Sequence, residues 1–345
     1  MPTHSHIPRL PSAARGVALL LFLFLAFATF ADKPAAPPMS APPVAPIHTL
    51  YDRALPAIVE ILVNDQLNGS GWIADREGYV ITAAHVVSSD KPRIEILTKD
   101  QGRLDAKLIA VNLGHDLALL KLPQREGGYP FLTHAKKTPT AGSDIYLFGA
   151  PIYRHAVMLK GNVARNTTTF EYLPTQRSHI EAIHVAAHTP RGTSGGPWLT
   201  DTGEVVALQS GMMSDQNAQV GIAFVIPIQP IQFLLNTKAS ATTPTLGVAV
   251  EELWEQPRDF LKKYPAKLEG IVLRQPIADG PAAKAGLKES DVVLALSGHP
   301  VRLRDQFMRF IRDAKVGDEV KLRFLRDGNT TPQEVSVKIG RMEKD

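Results

Sequence analysis

Between residue 48 and about residue 235 the chain breaks into short runs rich in β-branched and apolar residues, at 58–63, 71–74, 80–83, 93–97, 106–111, 117–122, 144–148, 205–209 and 221–226. Gly, Pro and Asn interrupt the runs, and such spacing predicts an all-β barrel or sandwich. A length of 345 residues, at roughly 150 per domain, predicts two domains, and 44% apolar content is enough for their cores.

Residues 236–245, Asn-Thr-Lys-Ala-Ser-Ala-Thr-Thr-Pro-Thr, lack large apolar anchors and predict a boundary. Beyond it the pattern changes. Pro281-Ala282-Ala283-Lys284-Ala285 reads as a short helix with Pro at its first position and Gly286 as its stop, followed by an apolar strand at 291–296. Leu303, Phe307, Phe310 and Ile311 form one stripe of a longer helix over 303–314, and strands near 319–325 and 334–339 flank the turn Asp327-Gly328-Asn329. This predicts a small α+β or helix-capped barrel unit. At the other end, Arg9 and Arg15 precede an apolar run over residues 16–31 that closes on small residues, the pattern of a secretory signal or an uncleaved anchor. The proline-rich residues 33–47 read as an extended spacer. The expected division is therefore 1–31 signal or anchor, 32–47 linker, 48–238 first domain, 239–245 linker and 246–341 second domain.

Several classes drop out on composition. The chain has no Cys, which removes disulfides, a cysteine nucleophile and thiolate metal sites. Its 38 basic and 34 acidic residues are scattered, so no nucleic-acid partner is expected. The eleven histidines include no His-Glu-x-x-His, and no metal or cofactor is expected.

What remains is a nucleophile, a base and an orienting carboxylate. Thr82-Ala83-Ala84-His85 is followed by His115-Asp116-Leu117-Ala118 and then by Gly192-Thr193-Ser194-Gly195-Gly196-Pro197. The order His, Asp, Ser is that of chymotrypsin-type proteases. A serine hydroxyl needs an imidazole to take its proton, and the imidazole needs a carboxylate to hold the useful tautomer. Ser194, His85 and Asp116 fit those roles. The glycine at 192 lets the N–H groups of the Gly192-Thr193-Ser194 turn face a developing oxyanion, worth roughly 3 to 4 kcal/mol per donor.

Gly69-Ser70-Gly71-Trp72-Ile73, the stretch Gly78-Tyr79-Val80-Ile81-Thr82-Ala83-Ala84-His85-Val86-Val87, the aspartate segment, the serine loop and Gly221-Ile222-Ala223-Phe224-Val225-Ile226-Pro227 together resemble the HtrA family of trypsin-like serine proteases, over about residues 48–341. The resemblance implies a mainly β, chymotrypsin-like double barrel with its site between the barrels, followed by one PDZ domain. It also implies a homotrimer. One departure is Arg191, which the family's serine loop does not usually carry. His188 falls where trypsin-like enzymes line the pocket for the substrate side chain, and reads either as an acid-preferring pocket residue or as a rim or core histidine. Gln209, Ser210 and Gly211 are candidates for another pocket wall, and Met212 and Met213 beside them favour apolar side chains.

Leu246-Gly247-Val248-Ala249 resembles the carboxylate-binding loop of a bacterial PDZ domain, with the strand after it pairing with a peptide and the helix over 303–314 as the far wall. The expected function is an envelope, periplasmic serine endopeptidase acting on unfolded or misfolded proteins, with C-terminal peptides at the PDZ domain. Two alternatives stay open. One is a regulatory protease tethered through residues 16–31 that cuts a single partner; the other is a catalytically idle chaperone or binding protein.

Overall fold

The computed structural model describes residues 47–215 and 218–343. The signal or anchor at 1–31 and nearly all of the proline-rich spacer lie outside the described residues. A short helix α1 (His48–Ala54) leads into the first six strands: β1 (Ile58–Val63), β2 (Gln66–Ile73), β3 (Tyr79–Ala83), β4 (Ile94–Thr98), β5 (Gly102–Asn112) and β6 (Leu117–Lys121). They close into a barrel in the order β1-β2-β3-β6-β5-β4. A second closed barrel, β10-β11-β12-β9-β8-β7, is built from β7 (Asp144–Gly149), β8 (Val157–Leu173), β9 (Ser178–Ala186), β10 (Pro197–Leu199), β11 (Val205–Asp215) and β12 (Ala218–Pro227). The expectation of a mainly β double barrel is met.

Closure removes free edges, so every strand can bury one face. Val59, Ile61, Ile81, Ile96, Leu117 and Leu119 fill the first barrel around Trp72, while Ile145, Val163, Val185, Val206 and Val225 pack around Trp198 in the second. Both indoles are buried with their one polar atom partnered, Trp72 Nε1 to His134 Nε2 at 3.3 Å and Trp198 Nε1 to Gln209 Oε1 at 3.1 Å. Helix α2 (Ile228–Thr237) buries Ile228, Ile231 and Leu234 in the large apolar cluster that both barrels share. Its Pro230 sits in the first turn, where no intrahelical N–H bond is lost.

The segment after α2 is pinned to the first barrel: Ala241 N donates to Val111 O and Gly114 N to Thr243 Oγ1. Strand β13 (Pro244–Thr245) then pairs with β20 (Gly340–Arg341). The second unit's sheet runs β14-β15-β16-β18-β19, from β14 (Ala249–Glu252), β15 (Ile271–Arg274), β16 (Val292–Leu296), β18 (Glu319–Leu325) and β19 (Gln333–Lys338), with β17 (His299–Pro300) on β16. Helices α3 (Arg258–Leu261), α4 (Pro281–Lys284) and α5 (Arg304–Asp313) complete it. Of the predicted stripe, Phe307 and Ile311 are buried, with Met308 beside them, Phe310 is half-buried, and Leu303 is 41% exposed because the helix begins one residue later.

The two units meet where α5 packs on the β8–β9 hairpin. Phe170 of β8 is buried in the same apolar cluster as Val248, Val250, Phe307 and Ile311, and Arg312 Nη2 donates to His179 O at 2.5 Å. His179 is 1% exposed, with no partner for either ring nitrogen. Burial, then the guanidinium groups of Arg304 and Arg312, push its pKa down to about 3 from 6.5. A histidine that stays neutral when folded but gains a proton when unfolded stabilises the fold above the unfolded pKa and loses that contribution as pH falls. Melting temperature is therefore expected to drop between pH 7.5 and 5.5, and His179→Leu to reduce that drop, as differential scanning fluorimetry would show.

Candidate active site

Strand pairing brings the first two residues of the constellation together. Ala83 at the end of β3 is the cross-strand partner of Leu117 at the start of β6, so the residues just beyond β3 lie beside those just before β6. The ladder continues outward: Ala84 N donates to Asp116 O at 3.0 Å and His85 N to Asp116 Oδ1 at 2.9 Å. His85 Nδ1 then meets Asp116 Oδ2 at 2.7 Å, which leaves Nε2 as the ring's outward nitrogen. Asp116 is fully buried and takes the left-handed conformation at φ 50°. Its carboxylate collects four donors: His85 N and Gln176 Nε2 on Oδ1, and His85 Nδ1 and Ser210 Oγ on Oδ2. No oxygen lone pair is left unsatisfied, which compensates for burying the charge.

Burial alone would lower the pKa of His85. The neighbouring Asp116 charge and the hydrogen bond to it act the other way, and the result lies above 6.5. The imidazolium is therefore the favoured partner of this carboxylate.

Ser194 arrives from the second barrel, in the turn between β9 and β10. Gly195 N donates to Gln209 O at 2.7 Å and Gln209 N to Gly196 O at 2.9 Å, which lays the turn along β11. Ser70 N, from β2 of the first barrel, donates to Ser194 O at 2.8 Å and so crosses the cleft. The Ser194 hydroxyl points at Ser210 O, 3.4 Å away, while Ser210 Oγ holds Asp116 Oδ2 at 2.5 Å. One residue of β11 thus bridges the serine and the aspartate.

The loop before Ser194 needs its glycines. Gly192 has φ +95°, and a Cβ there would lie 2.2 Å from Ala150 O; one at Gly195, φ +83°, would lie 2.3 Å from Ser70 O. Arg191 O accepts from Ile152 N at 2.7 Å, and in a trans peptide this turns the following Gly192 N–H to the opposite side. Among the described residues no protein acceptor takes the N–H of Gly192 or Ser194, whereas Thr193 N is held by Pro190 O at 3.2 Å. Two donors are thus free for an anion, and Thr193 is not a third. Ser70 Oγ staples the loop by donating to Gly192 O at 2.7 Å while accepting from Ala150 N at 3.0 Å. Gly192→Ala, forced into backbone, is expected to lower kcat about 100-fold, the effect of losing one such donor; steady-state peptide cleavage checks it.

The suggested pocket wall divides. Gln209 is 2% exposed, and its amide nitrogen is engaged by Thr189 Oγ1 and Gly211 O. It braces the serine loop from inside, which corrects its reading as a lining side chain, because every polar atom of its amide already has a protein partner. Ser210 spends its hydroxyl on Asp116. Gly211 has Leu173 and Phe224 beside it, and the exposed His188 carries Nε2 3.9 Å from where a Cβ of Gly221 would sit. Ser70, Gln176 and the bridging role of Ser210 escape sequence reading, since each acts through a hydrogen bond to a residue far away in the chain.

In the second unit, Gly247 has φ +68° and the loop's carbonyls are tied back, Leu246 O by Ala282 N at 3.0 Å and Gly247 O by Ile277 N at 2.8 Å. A cavity of about 490 Å³ opens beside Gly247 and Val248, with Arg177, Lys284, Lys338 and Arg341 on its walls. The strand next to the loop, β14, is an edge of its sheet, but Phe170 of the β8–β9 hairpin shares the apolar cluster between β14 and α5. Among the described residues no metal-ligating cluster occurs and no helix is long and apolar enough to cross a membrane.

With this geometry in view, a profile of the trypsin-like peptidase domain matches residues 69–208 and one of the PDZ domain matches residues 244–339. A probable periplasmic serine endoprotease, DegP-like, of Pseudomonas putida (strain W619) is 30% identical over 282 residues, 80% of this chain and 56% of that protein. A protein of the same description from Brucella suis biovar 1 (strain 1330) is 29% identical over 282 residues, 80% of this chain and 53% of its own length. The chain spans little more than half of these relatives. Among solved structures, the HtrA-type protease AlgW with decapeptide superposes with TM-score 0.59 at 21% identity, covering 86% of this chain and 99% of that one. The serine endoprotease from Yersinia pestis does so with TM-score 0.57 at 21% identity, covering 88% and 100%. At such identity the likeness speaks for the fold.

Proposed function

From a trypsin-like peptidase domain followed by a PDZ domain, and from 30% identity to a DegP-like serine endoprotease, we propose that the chain belongs to the HtrA family and is a serine endopeptidase of the cell envelope that cuts unfolded or misfolded proteins through an acyl-enzyme. The observation that carries this reading is the 2.7 Å pairing of His85 Nδ1 with Asp116, tied through Ser210 to the Ser194 hydroxyl.

In this mechanism Ser194 Oγ turns from Ser210 O to His85 Nε2, gives up its proton and attacks the scissile carbonyl. The oxyanion is received by the N–H groups of Gly192 and Ser194. His85, now imidazolium and held by Asp116, donates its proton to the leaving amine, and water repeats the sequence on the ester. The named relatives are described as probable periplasmic endoproteases, and the apolar residues 16–31 suit export, with or without retention as an anchor. The PDZ unit, through Leu246–Ala249 and the cavity beside it, would take C-terminal peptides and either recruit substrate or regulate the site. A homotrimer assembled through the protease units belongs to the same reading, and light scattering of the purified protein tests it.

His85 must be neutral to accept the serine proton. Since its pKa is raised from 6.5, kcat/KM is expected to climb with pH through a limb above that value and to be lost in acid. A limb at or below 6.5 would count against the His85–Asp116 pairing.

The direct test is to incubate purified residues 32–345 with unfolded casein and with a fluorophosphonate probe. Cleavage, with the probe found on the Ser194 peptide by mass spectrometry, is the expected result; an intact substrate and no label would favour the idle binding protein instead. Cleavage of casein that responds to added tail peptides supports PDZ control, and an unchanged rate rejects it.

A further inference from the structure

Three of the four donors to Asp116 come from segments that build the cleft itself: two from His85 and one from Ser210. The fourth comes from elsewhere. Pro174-Thr175-Gln176-Arg177 form a single tight turn at the tip of the β8–β9 hairpin, with Pro174 in its first position, Arg177 left-handed at φ 48° and Arg177 N closing on Pro174 O at 3.2 Å. That closure turns Gln176 inward, where Nε2 donates to Asp116 Oδ1. The other end of the same amide, Oε1, is buried with no hydrogen-bond partner. A free loop would relieve an unmet acceptor by swinging into water; this one is held in place.

What holds it is the PDZ unit. Asp305 of α5 accepts from Thr169 Oγ1 at 2.9 Å and from Phe170 N at 3.1 Å, and Arg309 donates to Thr168 O at 2.8 Å. Phe170 is buried against Phe307 and its neighbours. From there the hairpin is paired without interruption, Thr169↔Ala182 through Leu173↔Ser178, which is about 13 Å of stiff ladder ending at the turn.

We propose that Gln176 is a positioning residue for the triad: its amide fixes the plane of the Asp116 carboxylate, and the grip of α5 on the β8–β9 hairpin keeps it there. Without Gln176, Oδ1 would keep only His85 N against the two donors on Oδ2, and the carboxylate could pivot on its weaker side. With Gln176 as second donor the pivot is blocked, and Oδ2 stays in line with His85 Nδ1. The PDZ unit thereby reaches the base through the aspartate. This inference rests on the proposed role of Asp116 in catalysis.

Gln176→Met keeps the volume and removes the donor. Its expected result is a kcat lower by about 10-fold, the worth of a hydrogen bond to a charged group, with KM unchanged on a short peptide that has no tail for the PDZ unit, because the Gln176 amide is spent on Asp116. The acid limb of kcat/KM should also move to higher pH, since a carboxylate with one donor fewer pulls more strongly on the His85 proton. The other charged or titratable groups around the site, His115, His179, Glu181, Arg177, Arg312 and Glu343, are the same in both proteins. A merely structural role would leave that limb where it was.

Asp305→Ala, which loosens the hairpin from α5 without altering the cleft, is the second variant. It is expected to lower kcat in the wild type and to have no further effect in the Gln176→Met background, the non-additivity of two residues on one path. If Gln176→Met shows wild-type kcat and limb while the fluorophosphonate still labels Ser194, the positioning role is overturned and the triad stands. If both substitutions lower kcat independently, the link to the PDZ unit is overturned. Absence of labelling in the wild type would remove the triad reading itself.

Discussion

Ser194→Ala is expected to lower kcat on unfolded casein by about 10⁶-fold, the cost of removing the nucleophile of such a triad, leaving only what binding and the oxyanion donors supply. The fold should not register the change. The Ser194 main chain keeps its bonds, with Ser70 N donating to Ser194 O at 2.8 Å, and among the described residues the hydroxyl's one hydrogen bond is the 3.4 Å approach to Ser210 O. Removing so long a hydrogen bond costs little. The variant should therefore melt with the wild type, bind unfolded casein and fail to cut it, which makes it a trap for natural substrates. Cleavage above about a thousandth of the wild-type rate, in protein free of contaminating protease, would rule out the assigned nucleophile.

Asp116→Asn is expected to cost about 10⁴-fold in kcat, because an amide beside His85 Nδ1 favours the tautomer that leaves Nε2 protonated and unable to take the serine proton. Here the change should also be felt by the fold. Both carboxylate oxygens accept two donors each, so an Asn must turn its NH₂ either toward His85 Nδ1 and Ser210 Oγ or toward His85 N and Gln176 Nε2. Turned to His85 N and Gln176 Nε2, donor faces donor; turned to His85 Nδ1 and Ser210 Oγ, the ring must change tautomer and the hydroxyl must turn to accept, so the charge-assisted bonds to a buried carboxylate are lost, at about 1 to 3 kcal/mol. Ser194→Ala and Asp116→Asn therefore separate in a thermal melt as well as in kinetics: the first leaves the midpoint in place, the second lowers it. An Asp116→Asn protein with wild-type stability would mean that the four-donor arrangement is not what holds the carboxylate.

Strands whose apolar residues face a barrel interior could be read directly. The stretches at 58–63 and 319–325 coincide with β1 and β18, and 117–122 runs one residue beyond β6. Strand β8 could not. Its 17 residues, Val157–Leu173, are broken by register shifts between Val163 and Arg165 and between Arg165 and Thr169, so the alternation that marks a strand loses phase. Its middle is polar because it leaves the barrel, and Phe170 near its far end is covered by the other unit rather than by the barrel. Strand β10, three residues long, is too short to show a period. Helix α2 was hidden by Pro227 and Pro230 at its start.

Within the site the same division holds. Residue order and local chemistry alone single out His85, Asp116, Ser194 and the glycine before the serine, since each role demands one side-chain type in one kind of flank. Ser70, Ser210 and Gln176 carry no such mark: a serine or a glutamine is common anywhere, and these matter only because folding brings them within hydrogen-bond reach of atoms dozens of residues away. The chain's local patterns thus settle which elements form and which groups can react, through periodicity and side-chain chemistry. Which carboxylate oxygen each donor reaches, which amides stay free for an anion and how α5 grips the hairpin were decided only when the barrels closed, because those are distances between segments that no local pattern encodes.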